Sequence, residues 1–279
     1  MEREGSTLPN VWVVFSDLDG TLLDPEFYDF APAKPALEAL AQQGIPLVLV
    51  SSKTRAEMEY WRTQLGNAHP FIVENGGAVY VPRGYFPFAL PGAQARGRYE
   101  VLELGRPYEE LVQVLEQLAA ETRTPVRGFH NLPFEELQRY CQLPAELARL
   151  ALQREYDLPF VVPPDAPLEA LLRSIEQRGL RCVRGDRFYH LTGQNDKAAA
   201  VQALIDAYQV SYGPLITVGL GDAPNDFEFL HLMDIPILVR SPANTHLKEP
   251  PPRARLTSLP GPHGWNQAIL ALLSGEAAL

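Results

Sequence analysis

Between Val11 and Glu74 the chain alternates short apolar runs with amphipathic stretches of helical length. Strands are expected at Val11 to Ser16, Pro46 to Ser51 and Phe71 to Glu74, with helices at Ala33 to Gln43 and Ala56 to Leu65. The runs at Val11 and Leu47 are continuously apolar instead of alternating, which is the pattern of strands covered on both faces by helices. This βαβαβ order predicts a parallel sheet and an α/β fold. Gly44, just past the first helix, is placed to cap it in a left-handed conformation.

The same pattern returns late in the chain. A helix at Asp196 to Tyr208, a strand at Leu215 to Leu220, a helix at Asp226 to Met233 and a strand at Ile235 to Val239 extend the sheet, and a helix at about Trp265 to Leu273 closes it. Between the two halves, after the hairpin-like turn Asn75-Gly76-Gly77, lies a long α+β insertion. Its expected strands are Tyr99 to Leu104, Val126 to Phe129, Phe160 to Val162, Arg181 to Arg184 and Phe188 to Thr192. Its expected helices are Tyr108 to Thr122, Pro133 to Cys141, Pro144 to Gln153 and Leu168 to Arg178. Leu147, Leu150 and Ala151 recur at helical spacing, as core residues do. The expected organisation is a parallel-sheet core of residues 1–81 and 191–279 carrying an inserted α+β domain of residues 82–190. Pro250 to Pro252 reads as a loop.

With 279 residues the chain has ample length for two modest domains. Its 46% hydrophobic and 21% charged residues fit a globular protein. The longest apolar runs are strand-sized, and Met1-Glu2-Arg3-Glu4-Gly5 lacks the basic-then-apolar order of a signal peptide, so a cytoplasmic location is expected, with no membrane partner. Cys141 and Cys182 suit neither a disulfide framework nor a metal cluster. A net charge of -10 with no clustered basic face argues against nucleic acid, while a few cations inside a pocket still suit a small anion. Prolines number 26 of 279 residues, about 9%, and loop proline is one habit of heat-adapted proteins, so a thermophile source is expected.

Chemistry concentrates in four short segments. The first is Asp17-Leu18-Asp19-Gly20-Thr21, delivered by the strand at Val11. Such a turn can supply a nucleophilic carboxylate and an acid/base partner, with a divalent cation screening their repulsion; taken alone it also reads as a strand end followed by an Asp-Gly turn. The others are Ser51-Ser52-Lys53-Thr54, Asp196-Lys197 and Gly221-Asp222-Ala223-Pro224-Asn225-Asp226. All four follow strands or begin helices, at the edge of a parallel sheet where ligands collect. Ser51 can donate to a phosphate oxygen or cap a helix. Lys197, at a helix amino terminus, is unfavourably placed against the helix dipole unless an anion is near. Asp222 offers a hard oxygen ligand to a cation such as Mg²⁺.

In this order the four segments resemble the haloacid dehalogenase (HAD) superfamily of aspartate-nucleophile phosphatases. The resemblance implies a Rossmann-like core with a C2-type cap and assigns roles. Asp17 is the nucleophile and Asp19 the acid/base, Ser51 and Lys197 hold the phosphoryl group, and Asp17, the Asp19 carbonyl and Asp222 hold Mg²⁺, with Mn²⁺ or Co²⁺ able to substitute. Asn225 and Asp226 support the loop. A large insertion between the second and third motifs is similar to the Cof-like branch. Within it, Ser51 to Glu57, Gln153 to Phe160 and Gly185 to Leu191 resemble the mannosyl-3-phosphoglycerate phosphatase family. Ala198 departs from the glycine that often follows the lysine. The implied substrate is a phosphorylated sugar-glycerate whose carboxylate calls for a further cation, for which Arg154, Arg184, Lys53 and Arg55 are candidates. Asn75 is a candidate substrate contact or simply a turn residue. His130 and His190 lack metal-like spacing and read as packed or surface histidines. The alternatives are a broader sugar-phosphate or sucrose-phosphate phosphatase, a phosphomutase, and a non-catalytic sugar-phosphate sensor.

Overall fold

The computed structural model describes residues 11–184, 188–244 and 252–275. Along the chain run β1 (Val11–Ser16), α1 (Lys34–Gln42), β2 (Leu47–Val50), α2 (Arg55–Gln64), β3 (Phe71–Val73), β4 (Ala78–Pro82), β5 (Gln94–Arg96) and β6 (Tyr99–Glu103). Next come α3 (Tyr108–Thr122), β7 (Arg127–Gly128), α4 (Phe134–Cys141), α5 (Ala145–Ala151), β8 (Asp157–Val161), α6 (Leu168–Gln177), β9 (Arg181–Arg184) and β10 (Tyr189–Thr192). The last are α7 (Lys197–Tyr212), β11 (Leu215–Gly221), α8 (Phe227–Leu230), β12 (Ile235–Arg240), β13 (Arg255–Pro260) and α9 (Gly261–Ser274). Residues 185–187 and most of the Pro250 to Pro252 loop lie outside the described residues. The chain gathers into two compact units, one of residues 1–48, 202–222 and 229–279, the other of residues 49–201 and 223–228.

The first unit carries parallel strands in the order β13-β12-β11-β1. Val13, Val14 and Phe15 of β1 are buried, as their unbroken apolar run requires. α9 packs on β12, β13 and α1, and buries Trp265 completely. Gly264 permits this close approach, since a Cβ there would lie 2.1 Å from the Leu259 carbonyl oxygen. β13 has no counterpart among the predicted elements. It is an edge strand with only Thr257 buried, so it lacks the apolar run by which the other strands are recognised. The helix expected over Asp226 to Met233 is a 3₁₀ turn at Pro224–Asp226 followed by the short α8. Phe229, Leu230 and Met233 are buried there, and the missing side chain of Gly219 makes room for Leu230 and Met233 against β11.

In the second unit β2 pairs parallel with β3, and β3, β4, β6 and β5 follow in antiparallel order. Tyr99–Glu103, expected within the insertion, thus continues the sheet of β3 and β4. A separate antiparallel sheet has the order β7-β8-β10-β9. On one face Leu158, Phe160 and Leu191 meet Leu111, Leu115 and Leu118 of α3 and Leu171 and Ile175 of α6. Strand alternation sends Asp157, Pro159, His190 and Thr192 to the other face. Among the described residues no helix is long and apolar enough to cross a membrane.

Leu115→Ala should lower unfolding stability by about 3 kcal/mol, whereas Val210→Ala, on the exposed side of α7, should change it by less than about 0.5 kcal/mol. Urea denaturation followed by circular dichroism checks both.

Candidate active site

The first unit holds two neighbouring carboxylates. Ser16 pairs with Leu220 in register, and the Asp17 amide donates to the Leu220 carbonyl at 2.9 Å, so β1 and β11 end side by side. Asp17 and Asp222, both buried, begin the turns that follow and bring carboxylate oxygens within 4.8 Å of one another. The main chain of Asp17 is held from below: the Trp265 indole N–H donates to Ser16 Oγ at 2.9 Å, and that hydroxyl donates to the Asp17 carbonyl at 2.7 Å. Gly20 has φ +78°, and a Cβ there would sit 2.5 Å from Asp222 Oδ2. Thr21 Oγ1 donates to Asp222 Oδ1 at 3.2 Å. From the end of β12, the buried Asn244 amide donates to the carbonyls of Asp222 and Val239 at 2.9 and 2.7 Å. Asp19, half-buried, lies on the same turn. Buried like charges at this separation are costly unless a cation offsets them, and an all-oxygen pair of this kind fits a hard divalent ion.

The second unit holds Ser51 and Lys197. Ser51 is buried after β2, and its Oγ accepts from the Lys53 amide at 3.2 Å. The cap of α2 is Thr54, which forms a reciprocal capping box with Glu57, so Ser51 is not the cap residue. Lys197 begins α7, almost fully buried, and its Nζ donates to Asp226 Oδ1 at 2.6 Å, which supplies the anion that its position demands. Asp226 Oδ2 accepts from the Ala223 amide at 3.1 Å and closes the loop.

Around these residues the turn Glu74-Asn75-Gly76 gathers segments distant in sequence. All three residues have positive φ, at +48°, +55° and +86°. A Cβ on Gly76 would lie 2.0 Å from the Asp196 carbonyl oxygen, so only glycine fits beside the Lys197 segment. The Asn75 amide N–H donates to the Ser51 carbonyl, and its side chain donates to Asp157 Oδ2 at 3.1 Å and accepts from Asn225 at 3.3 Å. The Glu74 carboxylate accepts from the amides of Glu155, Tyr156 and Asp157 at 2.7–2.9 Å. Burial pushes the Glu74 carboxyl up, to about 8, against the pull of Arg154 and of these amides. Asp157 is completely buried; burial alone would raise its carboxyl, but His190, Arg154 and Asn75 together hold it below its ordinary value.

The cations proposed for a substrate carboxylate are placed differently from one another. Arg154 donates to the carbonyls of Ser52 and Ala151 and stands 3.7 Å from Asp157, so it ties the Ser51 turn to β8. Arg55 pairs with Glu155 and Glu59, and Lys53 lies 3.8 Å from Glu57. Arg184 lies over the Tyr189 ring on the helix-covered face of its sheet, opposite Asp157 and His190. Sequence reasoning missed Glu74, Asp157, His190, Asn244 and Trp265. Asp157 and His190 fall in strings that carry the family resemblance, but no residue pattern marks them, or Glu74, Asn244 and Trp265, as partners of the motif residues.

A parallel sheet with carboxylates at adjoining strand ends is the architecture of a haloacid dehalogenase-like hydrolase, and the family of that description matches residues 14–87. The chain is 39% identical to the glucosyl-3-phosphoglycerate/mannosyl-3-phosphoglycerate phosphatase of Persephonella marina, covering 94% of this chain and 97% of the relative. It is 40% identical to the mannosyl-3-phosphoglycerate phosphatase of Pyrococcus furiosus, covering 81% and 90%. The chain belongs to this phosphatase family of haloacid dehalogenase-like hydrolases. The fold is shared with a Thermoplasma acidophilum protein at TM-score 0.68 and 17% identity, over 95% of this chain and 99% of that one. It is also shared with the sucrose-phosphatase of Synechocystis at TM-score 0.60 and 14% identity, over 94% and 98%.

Gly20→Ala should displace the Asp222 carboxylate and raise the Mg²⁺ concentration for half-saturation at least about tenfold, read by metal titration. Asp157 stabilises the fold above its ordinary pKa of about 3.9, and that contribution is lost as pH falls through the lowered folded-state value. Asp157→Asn should therefore flatten the acid limb of a stability profile measured below about pH 4.

Proposed function

We propose that the chain is a Mg²⁺-dependent phosphatase that converts mannosyl-3-phosphoglycerate to mannosylglycerate in the cytoplasm, with the glucosyl analogue as a second substrate. A carboxylate oxygen of Asp17 bonds to phosphorus as the bond from phosphorus to the glycerate oxygen breaks, and Asp19 gives that oxygen a proton. Asp19, now a carboxylate, takes a proton from water; the resulting hydroxide bonds to phosphorus, the bond to Asp17 breaks, and phosphate leaves. Ser51 and Lys197 hold the phosphoryl oxygens, with Lys197 steadied by Asp226. Asp17, the Asp19 carbonyl and Asp222 would hold the cation, Mg²⁺ or in its place Mn²⁺ or Co²⁺, which when bound offsets charge between phosphate and carboxylate. Asn225 supports the loop through Asn75.

Residues 82–190 act as the specificity insertion on a core of residues 1–81 and 191–279. Lys53 and Arg55, just beyond Ser51, are the proposed partners of the glycerate carboxylate, and Arg154 is a positioning residue for the Ser52 carbonyl. The observation that carries the proposal is the buried Asp17–Asp222 pair at adjoining strand ends. The substrate is supported by relatives of 36–40% identity whose names share one phosphatase activity.

Phosphate release should be fastest with mannosyl-3-phosphoglycerate and glucosyl-3-phosphoglycerate, slower with mannose 6-phosphate and sucrose 6-phosphate, and reduced at least about 1,000-fold in Asp17→Asn. Equal rates across the hexose phosphates would overturn the substrate assignment. Full activity in Asp17→Asn would overturn the nucleophile.

A further inference from the structure

The face of the antiparallel sheet turned away from α3 and α6 is polar and reaches the motif segments at two points. From β9, Arg181 donates to Asp196 Oδ2 at 3.1 Å, beside Lys197, and to Glu228 Oε1 at 3.2 Å, just past the acidic loop. From β8, Asp157 reaches Asn225 through Asn75. His190 lies on that same face of β10, flanked by Pro159 of β8 and Val183 of β9. Its Nδ1 stands 2.8 Å from Asp157 Oδ2 and 3.0 Å from Oδ1.

An ionised carboxylate can only accept, so Nδ1 carries the proton and donates. Nε2, on the far side of the ring, has no partner among the described residues. Anchoring one nitrogen on a fully buried carboxylate fixes both the tautomer and the ring plane, much as an orienting carboxylate does for a metal-binding histidine. A sugar hydroxyl can both donate and accept, so it can meet Nε2 whichever role that nitrogen takes.

Resting on the phosphatase assignment above, we propose that His190 is a specificity-determining residue whose Nε2 hydrogen-bonds a hydroxyl of the sugar of a glycosyl-phosphoglycerate, with Asp157 as its positioning residue. His190 thereby selects the glycosylated substrate over phosphate esters that carry no sugar.

The test compares kcat/KM on mannosyl-3-phosphoglycerate with that on p-nitrophenyl phosphate, an ester without hydroxyls beyond its phosphate. His190→Asn keeps an amide N–H for Asp157 and removes the far side of the ring. The ratio should fall roughly tenfold, mainly through KM, and His190→Gln, whose longer amide can place an oxygen near the Nε2 position, should recover part of the loss. In the wild-type protein, the ¹⁵N signal of the His190 ring should shift on adding mannosylglycerate and stay in place on adding inorganic phosphate, a readout independent of how the variants fold. An unchanged ratio, equal losses on both esters, or a ring signal indifferent to mannosylglycerate would overturn the role of His190. A wild-type enzyme that hydrolyses p-nitrophenyl phosphate but not mannosyl-3-phosphoglycerate would overturn the substrate assignment, and the sugar-reading role with it.

Discussion

The parallel ladder between β1 and β11 is the constraint on which the chemistry depends. Two strands almost two hundred residues apart end in register, so the residues that follow them, Asp17 and Asp222, emerge together at one sheet edge. Neither carboxylate would choose the other in isolation, since bringing two buried negative charges close costs free energy. The ladder supplies the stabilisation, through buried apolar strands, and leaves a charge repulsion of the kind that a bound cation would offset. Gly20 and Thr21 then border the carboxylate of Asp222, and Asn244 holds its main-chain carbonyl.

In the second unit the same service is performed by a turn. Glu74, Asn75 and Gly76 adopt three successive left-handed conformations, which non-glycine residues occupy only when their surroundings over-determine them. Here the surroundings do: the Glu74 carboxylate satisfies three amides at the start of β8, and Asn75 bonds to Ser51, Asp157 and Asn225. Local strain is offset by hydrogen bonds that would otherwise be left unmade in the interior. The result fixes the Ser51 turn, Asn225 and the polar face of the antiparallel sheet relative to one another.

Much of this was legible in the residues. Continuous apolar runs mark β1, β2 and β11, and the helices α3 and α6 follow from apolar spacing, because burial on one face imposes a period on the sequence. The four motifs stand out because each combines a strand end with a functional polar residue. What stayed hidden follows from the same physics. β13 is an exposed edge with one buried residue, and the short α8 leads into Leu230 and Met233, which pack over a glycine in β11, a contact that no local pattern announces. Asp157 and His190 look like ordinary strand residues until antiparallel pairing places them on one face. Ser51 and Thr54 are both plausible caps, and only the geometry of the capping box assigns the task to Thr54.

The bond from Trp265 to Ser16, and onward to the carbonyl of Asp17, joins a late helix to the first strand. All four motif segments lie before residue 227, so a polypeptide still emerging from its ribosome would contain every motif residue long before it contained the indole that braces the first of them. The brace on the Asp17 main chain therefore forms only after α9 has been added, when every motif residue is already in the chain.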